Sequence, residues 1–358
     1  MKKIDIYIIK KFLGTFFFSI TLILMIFVVF DISERMDDFL NKKPPLNEII
    51  FDYYLNFIPF YGNLLSPLFT FIAVIYFTSR MAYRSEIIAI LSSGISFRRL
   101  LLPYMLSATV LAFLSLYLNH FVIPKSNEIR LTFEDKYLKN QFFNEDRNIH
   151  RQIAPETFIY FSSFNNQQNT GYRFTLEKIR DGKRYYYLKS DYIMWDSLTN
   201  RWLIKNYFIR QINGIAEVIK TGAELDTVLN FHPSEFGRRI NNVETMPTPQ
   251  LVQFIDEEKK KGSYNIPFYD VAKQERSSYP FATFVLTLIG ASVASRKIRG
   301  GLGLHIMFGL FISFTYILFM KFATTFATNG GVPAYIAVWI PNIIFIVMAI
   351  LMLKKAPK

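Results

Sequence analysis

The sequence contains no cysteine. Disulfides, thiolate catalysis and cysteine-ligated metal sites are thereby excluded, while the compartment stays open. It also lacks the phosphate loop G-x-x-x-x-G-K-[ST], the zinc motif H-E-x-x-H and the nucleophile elbow G-x-S-x-G. Nucleotide hydrolysis, if it drives this protein, must then be done by another chain, and catalysis finds no constellation of residues. The four histidines, His120, His150, His232 and His305, show no metal-ligand spacing. His120 and His305 sit in apolar stretches, where a hydrogen-bonded packing role is expected. Charge is scarce over long stretches, and its distribution carries the first positive signal.

Hydrophobic residues make up 51% of the 358 residues, with 37 phenylalanines and 21 tyrosines, which reads as a membrane protein. Six stretches are long enough to cross a bilayer. They are Phe12–Phe30, a segment within Asn56–Ser79, Leu100–Ile123, Ser277–Ser295, Gly300–Met320 and Ala334–Leu353, the last set off by "NGGVP". Acidic residues follow the first, and its apolar core exceeds that of a cleaved signal peptide. Lysine and arginine collect in four places: Lys2, Lys3, Lys10 and Lys11; Arg80, Arg84, Arg98 and Arg99; Arg296, Lys297 and Arg299; and Lys354, Lys355 and Lys358. These fourteen bases meet only Asp5 and Glu86, so they account for twelve of the thirteen net positive charges. With six spans all four groups fall on one side, and the positive-inside rule makes that side, with both termini, cytoplasmic. The basicity is a topology signal, and a nucleic-acid partner is discarded.

The chain divides into residues 1–123 (three spans), 124–247 (an outer β domain), 248–276 (a helical elbow) and 277–358 (three more spans). In the β domain "TFIYFSSF", "YRFTLEKIR", "RYYYLKSDYIMW", "RWLIKNYFIRQI" and "IAEVIKT" are aromatic and β-branched, separated by turn signals such as Asp181-Gly182 and Asn213-Gly214. They read as a sandwich or open barrel, with imperfect alternation. In the elbow, Thr248 and Pro249 start a helix with Leu251, Val252, Phe254 and Ile255 on its apolar side, and Gly262 ends it. Pro59, Pro67, Pro103 and Pro341 are expected to kink their helices.

"YRSEIIAILSSGISFRRL", Tyr83–Leu100, joins spans two and three. On a helical wheel Ile87, Ile88, Ile90 and Leu91 form one arc, with Glu86, Ala89, Ser92 and Ser93 opposite. Gly94 suits a left-handed stop. Such a helix lies along the membrane surface. Its small-residue side with Glu86 suits a partner; an ordinary interfacial connector has the same pattern.

"RSEIIAILSSGIS" resembles the corresponding motif of the lipopolysaccharide export permeases of the LptF/LptG type. "DIYIIKKFLGTF", "ERSSYPFATFVLTLIGASVASRKIRGGLGLHIMFG" and "GGVPAYIAVWIPN" resemble that family's first span, its fourth and fifth spans with their basic loop, and its last span, in the same order. The β domain agrees in place and size. The implied fold is an α-helical membrane protein with six transmembrane helices (3+3) and an inserted all-β, jelly-roll-like periplasmic domain. The implied protein is a non-catalytic permease subunit, more LptG-like than LptF-like, of a bacterial inner-membrane ABC transporter. It would extract lipopolysaccharide and pass it to a periplasmic bridge. The implied partners are an LptF-like homologous subunit, a cytoplasmic LptB-like ATPase dimer carrying ATP and Mg, LptC/LptA-like bridge proteins, and lipopolysaccharide; the chain itself would bind no cofactor. A membrane-anchored scaffold or signalling protein with a partner-binding β domain is the rival reading.

The resemblance also assigns residues. Arg84, Ser85, Glu86, Ala89, Ser92, Ser93 and Gly94 would couple to the ATPase. Asp31, Glu34, Arg35, Lys42, Lys43 and Lys321 lie where the family has a lipid gate, although Asp31 stands where some members are basic; interfacial anchoring explains them equally. Phe27, Phe30, Phe69, Phe311 and Phe314 suit an acyl-chain cavity or plain lipid-facing packing.

Overall fold

A computed structural model describes residues 2–138, 147–236, 240–296, 301–329 and 331–354. Lys297, Arg299, Lys355 and Lys358, counted above among the basic residues, lie outside the described residues. The chain forms two compact units, one of Met1–Leu138, Val243–Leu251 and Pro267–Lys358, the other of Lys139–Asn242 and Val252–Ile266.

In the first unit, runs of Phe, Ile, Leu and Val must satisfy their backbone internally in lipid, and they do so as helices. These are α1 (Lys3–Glu34), α2 (Met36–Lys42), α3 (Leu55–Tyr83), α4 (Glu86–Ser92), α5 (Phe97–Tyr117), α6 (Ile123–Tyr137), α8 (Ile266–Ala294), α9 (Gly301–Thr328), α10 (Ala334–Ala337) and α11 (Ile340–Lys354); α7 (Thr248–Lys260) precedes α8. Wider π-helical turns at Glu48–Tyr54 and Leu118–Val122 extend α3 backwards and join α5 to α6. Among the described residues six helices are long and apolar enough to cross a membrane. The third, Phe97–Tyr137, has 41 residues, about 60 Å against a hydrocarbon core of about 30 Å.

Two expectations are corrected here. Residue 124 does not open the β domain: Pro124 falls in the first turn of α6, where proline is tolerated, and among the described residues the first strand starts at Arg147. Pro341 does not kink a helix; it is the second residue of α11, which starts afresh after α10.

The first three spans share a core of Ile8, Phe12 and Phe16 from α1, Val74 and Phe77 from α3, and Leu100 and Tyr104 from α5. Phe77 stacks between Phe12 and Tyr104, at 5.7 and 5.2 Å. A second core gathers α8, α9, α10 and α11 around Phe71 and Ile75 of α3. Two glycines admit that helix: a Cβ at Gly309 would lie 2.5 Å from Ile75 Cδ1, and one at Gly290 3.0 Å from Val74 Cγ1. Thus α3 belongs to both cores.

The second unit is an antiparallel sheet of β1 (Arg147–Ala154), β2 (Thr157–Asn165), β3 (Thr170–Tyr172), β4 (Thr175–Arg180), β5 (Lys183–Lys189), β6 (Tyr192–Asp196), β7 (Arg201–Asn213) and β8 (Ala216–Thr227). The registers make it a six-strand meander. Thr170↔Met194 and Thr175↔Lys189 belong to one ladder, so β3 runs on into β4 and β5 into β6. β2 keeps a single register along β3 and β4, and β7 does so along β6 and β5.

A crease crosses all six strands through Asn148, Ser162, Arg173, Asp191, Asn206 and Ala223, each falling in a gap of its ladder. Asn148, Arg173 and Asn206 have left-handed φ of 56°, 51° and 51°. Asn206 Nδ2 donates to Asp191 Oδ2 at 2.8 Å along this line. At the crease the inward face changes phase: Ile159 and Phe161 point in before it, Phe164 after it; Leu188 before, Ile193 after. The imperfect alternation of the sequence is therefore two regular alternations with a slip between them. The sheet bends around Phe161, Phe174, Trp202, Phe231 and Phe236. Trp202 Nε1 donates to the Phe231 carbonyl at 3.0 Å and holds the segment after β8 in that core.

Candidate functional site

The connector between α3 and α5 is built by its backbone punctuation. Ser85 takes φ 60° and turns the chain out of α3; Gly94 takes φ 86° and ends α4, as its lack of a Cβ permits. Ser96 then caps α5 by accepting from Arg99 N. Ile87 is buried in the core shared with α1, α3 and α5, and Ile90 and Leu91 pack partly against it. Burying an isoleucine stabilises by about 1.5–3 kcal/mol. Arg84, Ser85, Ala89, Ser92, Ser93 and Gly94 are exposed together. Ile88 departs from the wheel reading: it is 52% exposed and stands on the outer face among the small residues. An arc of four apolar residues is wider than the groove this two-turn helix has to fill.

Two contacts lock this connector to the chain's start. Tyr7 Oη donates to Glu86 at 3.0 Å. Arg99 donates through both terminal nitrogens to Asp5, at 2.8 and 2.7 Å, and Asp5 also accepts from Lys2 N. A bidentate guanidinium–carboxylate pair fixes direction as well as distance. The beginnings of α1, α4 and α5 thus form one block. Sequence reasoning missed Tyr7 and the pairing of Asp5 with Arg99; Asp5 at the third position of a helix signalled a cap, while a partner 94 residues away left no local mark.

The gate residues fall into separate places. Asp31 is the centre of a knot: it accepts from Arg35 Nε, Tyr53 Oη and Tyr54 Oη, each at 3.1 Å. Arg35 also lies over the Tyr53 ring at 5.9 Å. Glu34 is exposed. Lys42 reaches Asp38 at 3.9 Å on α2, and Lys43 ends α2 in the left-handed conformation. Lys321 is exposed on α9, where its charge acts on Glu275 of α8. Among the described residues no hydrogen bond or ion pair joins Lys321 to the Asp31 knot.

The five phenylalanines are not gathered into one cavity of this chain. Phe27 packs around Tyr53 and Phe57, and Phe69 against the first core. Phe30, Phe311 and Phe314 are 70%, 68% and 61% exposed. α1 and α9 carry these three and are the least buried of the six spans, at 17% and 22% of their apolar windows against 67% for α8.

A polar chain absent from the sequence reading ties the two sets of spans. Ser115 Oγ donates to Asn63 Oδ1 at 2.6 Å, Asn63 Nδ2 to Asn119 Oδ1 at 2.8 Å, and Asn119 Nδ2 to the Arg276 carbonyl at 3.3 Å. The buried Arg276 guanidinium donates to the Val243 and Met246 carbonyls and to Thr248 Oγ1, which also meets His120 Nδ1 at 2.8 Å. His305 meets the Arg296 carbonyl through Nε2. The half-buried His120 thus has a hydrogen-bond partner, whereas the buried His305 has one at Nε2 and, among the described residues, none at Nδ1.

The arrangement offers an exposed small-residue face on a rigidly held helix, and apolar spans whose outer surfaces have no protein cover in this chain. No curated protein matches the chain. A family model described as "Lipopolysaccharide export system permease LptF/LptG" matches residues 6–355, nearly the whole chain.

Proposed function

The chain belongs to the LptF/LptG family of lipopolysaccharide export system permeases, and from that premise we propose that α4 is the docking helix for a separate ATPase. The protein is a multi-pass inner-membrane permease component of a lipopolysaccharide-exporting ABC transporter. In our reading the arginine-rich ends of the spans and both termini are cytoplasmic, and the β unit is periplasmic. The exposed face of Ser85, Ile88, Ala89 and Ser92 receives the ATPase, with Ile88 as the apolar knob. Because Ile87 is set in the core of α1, α3 and α5, a push on α4 moves these helices together. ATP binding and closure of the partner ATPase, with its Mg, then narrow a cavity between this chain and a homologous subunit. The chain takes the LptG-like place in that pair, as its first span and the arginine before Ser85-Glu86 suggest. Lipid leaves toward the β unit, whose creased sheet hands acyl chains to a bridge protein. Removing several acyl chains from a bilayer costs about 0.8 kcal/mol per methylene, which calls for an external energy source.

The observation that carries this reading is the division of α4 into a face buried with three spans and an exposed face of small residues around Ile88. The test is co-purification in mild detergent with the ATPase. Ala89→Arg and Ile88→Asp should abolish it while leaving the permease folded. Tyr7→Phe, which removes the hydroxyl contact to Glu86 outside the small-residue face, should retain the ATPase and lower coupled transport. Retention of the ATPase and normal transport in both Ala89→Arg and Ile88→Asp would remove the docking role.

A further inference from the structure

At one end of the β unit the β2–β3 loop, the β6–β7 turn and the segment after β8 enclose an open cleft of about 470 Å³, within the size range of ligand sites. Its lining is unusual for this chain. In a protein of net charge +13, the cleft is lined by Asn166, Asn169, Asn200, His232, Ser234 and Trp195, with no lysine, arginine or carboxylate among its lining residues.

The cleft is held from beneath. Trp195 packs on the fully buried Trp202 at 5.1 Å and against His232 at 5.0 Å. Its backbone N–H donates to the Asn169 carbonyl at 3.1 Å, which fixes the β2–β3 loop to β6. Within that loop Asn165 Oδ1 accepts from the N–H groups of Gln167 and Gln168. In the turn opposite, Asp196 accepts from Leu198 N and Thr199 Oγ1. His232 Nδ1 meets Ser234 Oγ at 2.9 Å. The carboxamide of Asn166 is left over: both its oxygen and its nitrogen are shielded from solvent and have no hydrogen-bond partner. An unpaired donor and acceptor on one side chain is a costly arrangement that a ligand carrying both functions relieves.

We propose that this cleft binds an uncharged saccharide, the glycan portion of lipopolysaccharide being its natural source; this deepens the transport reading and rests on it. A pyranose ring presents an apolar C–H face and a rim of hydroxyls. The C–H face suits an indole, whose ring face is electronegative. Each hydroxyl both donates and accepts, as do the asparagine amides and the serine hydroxyl that line the cleft. A phosphate would call for guanidinium or ammonium groups and a metal ion for carboxylates, and the lining offers neither.

The experiment uses the full chain in phospholipid nanodiscs, so that no glycosidic detergent competes. The probe is a neutral hexose oligosaccharide free of phosphate and carboxylate, followed by tryptophan fluorescence and calorimetry. Saturable binding is expected, weakened about tenfold or more by Trp195→Ala, a loss of about 1.4 kcal/mol. Asn200→Ala, on an exposed turn, should weaken it with the fold intact and decides the matter if Trp195→Ala misfolds. Leu198→Ala, in the same turn outside the cleft, should leave it unchanged. Raising salt from about 0.05 to about 0.5 M should have little effect, since no ion pair is involved. Absence of saturable binding, unchanged affinity in Asn200→Ala, or a steep loss with salt overturns the proposal. ATPase co-purification is scored on the same preparations. If the ATPase is retained without saccharide binding, this inference falls and the transport reading stands; if both are lost, both fall.

Discussion

Asp31 shows how one side chain can look like a ligand in sequence and act as an anchor in structure. It follows a long apolar run at a place where the family resemblance puts a lipid gate, which points to a head-group site. Its carboxylate instead serves Arg35, Tyr53 and Tyr54 at once. Asp31→Ala would leave the buried Tyr53 hydroxyl without its acceptor and Arg35 without its hydrogen-bonded carboxylate. A loss of about 2–3 kcal/mol is expected in the thermal unfolding of the purified protein, and about 1 kcal/mol for Tyr54→Phe. Equal stability of Asp31→Ala and the parent would show that water or lipid replaces the carboxylate. Gly171 makes the complementary case, in which what matters is the missing side chain. A Cβ there would lie 2.4 Å from the ring of Phe161, itself fully buried. Gly171→Ala should therefore destabilise the β unit by about 1–3 kcal/mol, read from denaturant unfolding, and Phe161→Leu in the same chain should recover part of it.

Among the elements, the long spans were legible because uncharged runs of such length have few alternatives in lipid. The inner and outer faces of α4 were legible from periodicity, Ile88 excepted. The crease was not. Its left-handed positions are occupied by Asn148, Arg173 and Asn206 rather than glycine, so nothing in the sequence announces them, and the phase slip masks the alternation on either side. β1, "RNIHRQIA", escaped notice because it is polar and lacks the aromatic character of its neighbours. The long-range partners Asp5–Arg99 and Asn119–Arg276 were equally invisible, since each depends on packing settled elsewhere. The β6–β7 turn has a pH dependence with a definite sign. Hydrogen bonds from Leu198 N–H and Thr199 Oγ1 hold the Asp196 carboxyl below the usual carboxylate range. A depressed pKa stabilises the folded turn above the unfolded value of about 3.9, and that contribution disappears as pH falls through the folded value. The protection of the Leu198 amide from exchange, relative to its intrinsic rate at each pH, should fall below about pH 4, and Asp196→Asn should remove most of that dependence.

For the molecule as a whole, the exposed apolar surfaces of α1 and α9 need cover, and on the function proposed above that cover is lipid or a paired subunit. A photoreactive residue in place of Phe314 should capture lipopolysaccharide or the homologous permease in membranes, whereas one in place of Phe345, which is 4% exposed, should capture neither. Equal capture at both positions would mean that α9 and α11 exchange environments.

The double membership of α3 has a consequence for how the protein is made. Phe71 and Ile75 emerge from the ribosome long before the glycines of α8 and α9 that receive them. At roughly 5–20 residues per second, the stretch from Tyr83 to Ile266 takes on the order of 10–40 s to translate. Throughout that interval the nascent first half carries a bare, ridged flank in the bilayer. Acyl chains or an insertase must occupy it until the second half arrives and displaces them.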